Sequence, residues 1–160
     1  MDRGDLQIRE YQASDLPVVL VLHRRALEAV GAFVEGSWSD DLADIEGCYL
    51  RSGGTFLVGL EGDVIVSMGA LRRVDDDTAE IRRMRTAPEH QRKGYGTRIL
   101  AALIERAREA GYRELILETT DKQPVAMRLY RKIGFTEYKR ETSYGFKCIW
   151  FRMTIPPRKS

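Results

Sequence analysis

Gln91-Arg92-Lys93-Gly94-Tyr95-Gly96-Thr97 is a glycine-containing turn that opens onto an apolar helical pattern. Ile99, Leu100, Leu103, Ile104 and Ala107 follow at helical spacing, with Arg98, Glu105, Arg106, Arg108 and Glu109 between them. Pro88 keeps the upstream segment from running helically into the turn. Gly94 and Gly96 leave main-chain N–H groups uncovered where the first turn of a helix has no internal acceptors. Such a turn suits a phosphate or diphosphate. Taken alone, the glycines are also compatible with a helix start that binds nothing. A Gly-x4-Gly-Lys-Ser/Thr phosphate loop is absent, and Ile99 stands where a dinucleotide fingerprint wants a third small residue.

Immediately upstream, Thr78 to Thr86 reads as a strand of unusual phase. Ala79 and Ile81 share one face, whereas Met84 and Thr86 have the opposite parity. One extra residue near Arg82-Arg83 would bring both pairs to a single face, as a β-bulge does. An irregular arginine-rich strand is the other reading of these residues. Further back, Val64 to Val74 and Thr55 to Leu60 pair around Glu61-Gly62-Asp63 as a hairpin, and Asp75-Asp76-Asp77 makes the next turn. Leu6 to Ile8 is a short first strand. Ser14 can cap a helix that carries Pro17 in its first turn and stops at Gly31. Ser37 or Ser39 can cap a second helix through about Arg51. Downstream, the helix from Thr97 to Ala110 closes at Gly111. A strand spans Arg113 to Thr119. Gln123-Pro124 opens a short helix ended by Gly134, and Thr136 to Glu141 and Lys147 to Ile155 are closing strands around Tyr144-Gly145. This order, a three-stranded meander followed by β-α-β units, predicts an α/β fold. Its expected core is a mixed, mostly antiparallel twisted sheet with helices on both faces.

At 160 residues the chain is read as one domain with a polar tail, residues 156–160. A net charge of +2 gives no electrostatic case for nucleic acid, and no aromatic RNA-stacking motif is present. Cys48 and Cys148 lack Cys-x-x-Cys spacing and read as buried thiols of a reducing compartment. His23 and His90 have no ligand-like neighbours in sequence, so no metal site is expected. The aliphatic run Val18 to Leu22 is far too short for a membrane span, and a cytoplasmic protein is the default expectation.

Gln91-Arg92-Lys93-Gly94-Tyr95-Gly96 resembles the Gln/Arg-x-x-Gly-x-Gly/Ala signature of the GNAT superfamily of N-acetyltransferases. Glu80-Ile-Arg-Arg-Met-Arg-Thr-Ala-Pro88 upstream and Ala126-x-x-Leu129-Tyr130-x-x-x-Gly134-Phe135 downstream are similar to the family's flanking motifs. The resemblance in element order extends over nearly the whole chain. It implies a bulged strand splayed from its neighbour, and acetyl-CoA as cosubstrate with an amine as acceptor.

By that resemblance the main-chain N–H groups of Gln91, Arg92, Lys93, Gly94, Tyr95, Gly96 and Thr97 hold the diphosphate, helped by the Arg92 and Lys93 charges and the Thr97 hydroxyl. Backbone groups of Met84, Arg85 and Thr86 pair with the pantetheine like an added strand, and the amide of Met84 or Arg85 faces the thioester carbonyl. Gln123 stands where many members carry a pantetheine-contacting asparagine, one carbon shorter. Tyr130 is placed as general acid for the leaving thiolate, against the reading of a core tyrosine. Glu80 is the candidate base, with an ion pair to Arg82 as the competing reading and Glu118 as second choice. For the acceptor, Glu35, Asp40, Asp41, Asp44 and Glu46 form an acidic region that suits a cation or simply the start of a helix. Trp38, Tyr144 and Trp150 can line a pocket or pack. A non-catalytic acyl-CoA-binding module is the alternative, against which Glu80 and Tyr130 count. The sequence leaves both a monomer and a homodimer open.

Overall fold

The computed structural model describes residues 5–33, 40–143 and 145–156. Glu35, Ser37, Trp38, Ser39, Tyr144 and the tail beyond 156 lie outside the described residues. Seven strands form one mixed sheet: β1 (Leu6–Glu10), β2 (Thr55–Glu61), β3 (Val64–Arg73), β4 (Thr78–Thr86), β5 (Glu114–Thr120), β6 (Thr136–Ser143) and β7 (Phe146–Thr154). Their spatial order is β1-β2-β3-β4-β5-β7-β6, and every neighbouring pair is antiparallel except β4 with β5. Helix α1 (Leu16–Ala29) lies on one face; α2 (Tyr95–Ala110) and α3 (Pro124–Ile133) lie on the other.

The register of β4 settles the phase problem in favour of the bulge. Ala70 of β3 faces Arg82, but Met68 faces Arg85, so one residue more is spent on β4 than on β3. Arg83 absorbs the difference with a left-handed φ of 57°. Met84 thereby joins Ile81 and Ala79 on the face covered by α2. The parallel pairing of β4 with β5 ends at Ile81 and Leu117. Beyond that point the two strands part, leaving Arg82 to Thr86 without a neighbour on the β5 side.

Alternating burial of Leu115, Leu117 and Thr119 on β5 follows from its one-sided apolar pattern. Ile99, Leu100, Leu103 and Ala107 of α2 are fully buried against Leu57, Val66, Leu71 and Ile81. Each of the buried leucine and isoleucine side chains contributes about 1.5–3 kcal/mol by leaving water. On the opposite face Val19 and Leu22 of α1 pack with Leu42, Ile45, Tyr49, Phe56 and Val58. Strand β6 is the outer edge, exposed along its length and carrying Glu137, Lys139, Arg140 and Glu141, charges that discourage further strand pairing.

Three local expectations are corrected. Ser14 is not the cap of α1: Ala13–Asp15 forms a 3-10 turn ahead of the helix. There the Asp15 carboxylate accepts the Gln12 N–H at 2.8 Å and binds Arg9 at 2.8 and 2.9 Å, so the charged acceptor displaces the hydroxyl. The second helix is not a helix through Arg51. It is a 3-10 turn, Asp40–Ala43, followed by a wide turn, Glu46–Leu50, in which the Arg51 N–H reaches back to the Glu46 carbonyl at 2.8 Å. Side chains from this segment tie it down at two points. The Asp44 carboxylate takes the Gly47 N–H at 3.0 Å, and the Tyr49 hydroxyl donates to Asp41 at 2.5 Å. The helix after the glycine turn begins at Tyr95, two residues before the expected Thr97.

Gly69 sits on β3 opposite the bulge, where a Cβ would lie 2.7 Å from Ile99 Cγ2, 2.7 Å from Met84 Sδ and 2.9 Å from Leu103 Cδ1. Its missing side chain lets α2 press against the sheet beside the extra residue. Gly69→Ala is expected to cost about 1–3 kcal/mol by overpacking, read as a lowered midpoint in urea unfolding; an unchanged midpoint would mean that α2 does not depend on this contact.

Candidate active site

The glycine turn combines two left-handed residues with the start of a helix. Arg92 and Gly94 both take left-handed φ, 68° and 81°, and α2 starts at the next residue, Tyr95. Alternating backbone hands of this kind gather N–H groups on one side of a turn, and the positive end of α2 adds to their attraction for an anion. Tyr95 anchors the turn: its ring is buried in the core and its hydroxyl donates to the Glu61 carboxylate. Lys93 lies 3.3 Å from the same carboxylate and 3.0 Å from His90 Nδ1. Its charge is therefore shared with Glu61 instead of facing the cleft, whereas Arg92 lines the cleft.

That cleft holds about 400 Å³ and runs from the turn to the point where β4 leaves β5. Met84, Arg85, Thr86, Gln91, Arg92, Gly94, Tyr95, Gly96, Thr97, Gln123 and Tyr130 all border it, so the structure brings together eleven of the residues singled out in the sequence. The walls are completed by Ala26 of α1, Val30 just beyond its end, His90, and Val125, Ala126 and Leu129 of α3, of which Ala126 and Leu129 belong to the downstream motif. At Gly96 an added Cβ would meet nothing nearer than 3.8 Å, so the space over the helix start is open.

A second cleft of about 210 Å³ adjoins the first across the parted strands. Met84, Arg85, Gln123 and Tyr130 belong to both. Glu80, Arg82 and Arg83 of β4 and Glu118 of β5 line it, with Leu27 of α1, Ala32 beyond its end, and Cys148. Burial pushes the Glu80 carboxyl up, helped by Glu118 and opposed by Arg82 and Arg72. The Glu80–Arg82 pair is only a contact at 4.0 Å, so Glu80 is not consumed by it. Burial, with Glu118 beside it, pushes the Cys148 thiol up to about 11, which keeps it protonated.

Tyr130 stands at the junction. Its ring packs 6.0 Å from Phe135 and 6.2 Å from Phe151, centroid to centroid. Its hydroxyl makes no hydrogen bond among the described residues while bordering both clefts. Burial raises it to about 12, against the lowering effect of the Arg85 guanidinium. A phenol so placed holds its proton until a strongly basic group comes within reach.

A buried polar cluster supports the bulge from the α1 side. Arg83 donates from Nε and Nη2 to Asp41 at 2.8 and 2.6 Å, and Asp41 accepts the Tyr49 hydroxyl as well. Burial alone would raise the Asp41 carboxyl; Arg83 and Tyr49 overrule it and hold it far below the usual range. Next to it, Arg85 donates from Nε to His23 Nδ1 at 3.3 Å and from Nη1 to its neighbour's carbonyl, Met84 O, at 2.8 Å. Burial, then Arg85 and Arg83, depress His23 to about 3, so the ring is neutral, with Nδ1 as acceptor. His23, Asp41 and Tyr49 carried no sequence signal for this role; their partners on β4 lie 42 and 62 residues away in the chain. Among the described residues no group of three or more His, Cys, Asp or Glu is arranged to hold a metal, and no helix is long and apolar enough to cross a membrane.

Residues 21–135 match the family described as "Acetyltransferase (GNAT) family". Human N-acetyltransferase 8 is 32% identical over 127 residues, covering 76% of this chain and 54% of the relative. The chain thus spans about half the length of that relative. Among solved structures, a GNAT-family acetyltransferase from Staphylococcus aureus Mu50 superposes with a TM-score of 0.87 at 22% identity, covering 95% of this chain and 100% of that one. A phosphinothricin acetyltransferase from Sinorhizobium meliloti in complex with AcCoA superposes with a TM-score of 0.79 at 19% identity, covering 94% and 88%.

The neutral His23 makes the fold sensitive to mild acid. Its folded value, about 3, lies below the ordinary 6.5, so the unfolded chain takes up the proton first. The stability this provides is complete above pH 6.5 and is lost as pH falls toward 3. At pH 5 the loss amounts to about 2 kcal/mol. The melting temperature is expected to fall between pH 7 and pH 5, and His23→Gln should flatten that dependence; an equally steep profile in the variant would assign the sensitivity elsewhere.

Proposed function

The chain belongs to the acetyltransferase (GNAT) family, and on that premise we propose that it moves the acetyl group of acetyl-CoA to a primary amine by direct attack. The observation that carries the proposal is the meeting of two unlike clefts at Met84, Arg85, Gln123 and Tyr130. One begins at a helix start with crowded amides; the other contains a buried carboxylate.

Amides of Gln91 through Thr97, with Arg92, would hold the diphosphate. The exposed edge of β4 at Met84, Arg85 and Thr86 would pair with the pantetheine, an edge free because the strand has no β5 partner there. Gln123 borders both clefts and is the side-chain amide available to the same arm. Acetyl-CoA, once bound, supplies an activated acyl group. Glu80, with its raised affinity for protons, would take one proton from the acceptor ammonium, directly or through water, and release it to solvent. The amide of Met84 or Arg85 would donate to the carbonyl oxygen as negative charge develops there. As the C–N bond forms and the C–S bond breaks, Tyr130 would give its proton to the sulfur and regain one from the acylated nitrogen. Overall an ammonium and a thioester become an amide, a thiol and one released proton.

Acetyl-CoA binding by calorimetry, followed by thiol release with a panel of amines, tests the activity. Binding without thiol release from any amine would favour the non-catalytic module. Tyr130→Phe is expected to lower kcat by about 10²-fold or more while leaving acetyl-CoA affinity and stability nearly unchanged; equal turnover would remove its role as acid. Gly96→Asp places a carboxylate at the helix start, where the backbone has room for its Cβ, and should weaken acetyl-CoA binding at least tenfold by repulsion. Unchanged affinity there would move the diphosphate away from the turn.

A further inference from the structure

The second cleft has a charge layout more specific than "amine". Three arginines face it, and they differ in what already occupies them. Arg83 is taken by two hydrogen bonds to Asp41. Arg85 is held by the neutral His23 and by the carbonyl of Met84. Arg82 is different. Its side chain is only 23% exposed, and its ionic partner among the described residues is Glu80 at 4.0 Å, too far for a hydrogen bond. A guanidinium carries five donors in a planar fork that matches a carboxylate. Arg82 brings that fork, unengaged by any hydrogen bond among the described residues, into a small polar cleft.

The order of residues along β4 adds geometry. Arg82 lies between Glu80 and the Met84–Arg85 segment where the two clefts join. A carboxylate on Arg82 therefore sits next to an amine at the junction, not at the far end of a long molecule. Glu80 and Glu118 supply negative charge for that amine, and Arg72, opposite Glu80 on β3, adds a further cation beside them. Leu27 and Ala32 give the cleft an apolar side for a modest side chain. A peptide N-terminus has an amide where this arrangement offers a guanidinium.

We infer that the acceptor is a free α-amino acid, held as a zwitterion with its carboxylate on Arg82 and its ammonium at the junction of the two clefts, in the negative field of Glu80 and Glu118. The inference rests on the acetyl transfer proposed above and specifies its acceptor: the amino nitrogen gains the acetyl carbon as the thioester C–S bond breaks, giving an N-acetyl amino acid and free coenzyme A.

The test compares free α-amino acids with their α-carboxamides and with the matching decarboxylated amines, using this chain with acetyl-CoA, by thiol release. The free acids are expected to exceed the other two sets by at least tenfold in kcat/KM. Arg82→Gln should reduce that acid-to-amide ratio about tenfold, mainly through KM for the acid, and Arg82→Lys should restore part of it. A ratio near one in the wild type, or one unmoved by Arg82→Gln, overturns the inference while leaving acetyl transfer to other amines intact. No heat with acetyl-CoA overturns both together.

Discussion

An extra residue in β4 is the constraint from which the working part of the molecule follows. With Arg83 in the left-handed region and unmatched on β3, the strand turns away from β5 after Ile81. A regular parallel pair would have continued to Thr86 and closed the space with its own hydrogen bonds. The parting creates both clefts at once and leaves a free strand edge between them. Gly69 on one side and the Asp41–Arg83 pair on the other keep the irregular residue where it is. A non-glycine residue at positive φ persists only when its surroundings over-determine it, and here packing on one face and a bidentate ion pair on the other do so.

The same arrangement explains why the α1 side of the sheet is polar beneath an apolar layer. Removing one member of a buried ion pair leaves an uncompensated charge, which costs far more than the intact pair contributes. Asp41, Tyr49, Arg83, Arg85 and His23 therefore act as a unit, with each side chain bonded to a named neighbour. The cluster also fixes the direction of the β4 side chains, so the charges lining the second cleft are held from behind. Glu80 and Arg82, lying before the bulge, are outside this unit and remain available to a guest.

Much of this was legible in the chain because it depends on neighbours in sequence. The parity change between Ile81 and Met84 announced the bulge, and Gly94 before an amphipathic pattern announced the amides at the head of α2. Strand and helix limits agree to within a residue or two wherever apolar periodicity was unbroken. The residues from Asp40 to Arg51 were misread as a helix, since nothing in a spacing pattern tells that Asp44 will take the Gly47 amide or that Tyr49 must reach Asp41. Lys93 looked like a contributor to the anion site from its position alone; its attachment to Glu61, 32 residues away, is a tertiary fact. The arginines of β4 were visible as a basic stretch, but which of them is spoken for depends on partners from α1 and the Asp40 region.

The buried Tyr95 ring and its bond to Glu61 have a kinetic corollary. They hold the head of α2 in shape from within the protein, with Arg92 and Gly94 already turned. A visiting polyanion does not have to wait for a loop to reorganise, and it forfeits little chain disorder on arrival. Capture at this turn should then be governed by diffusion, orientation and the long-range field, the regime in which on-rates respond to ionic strength.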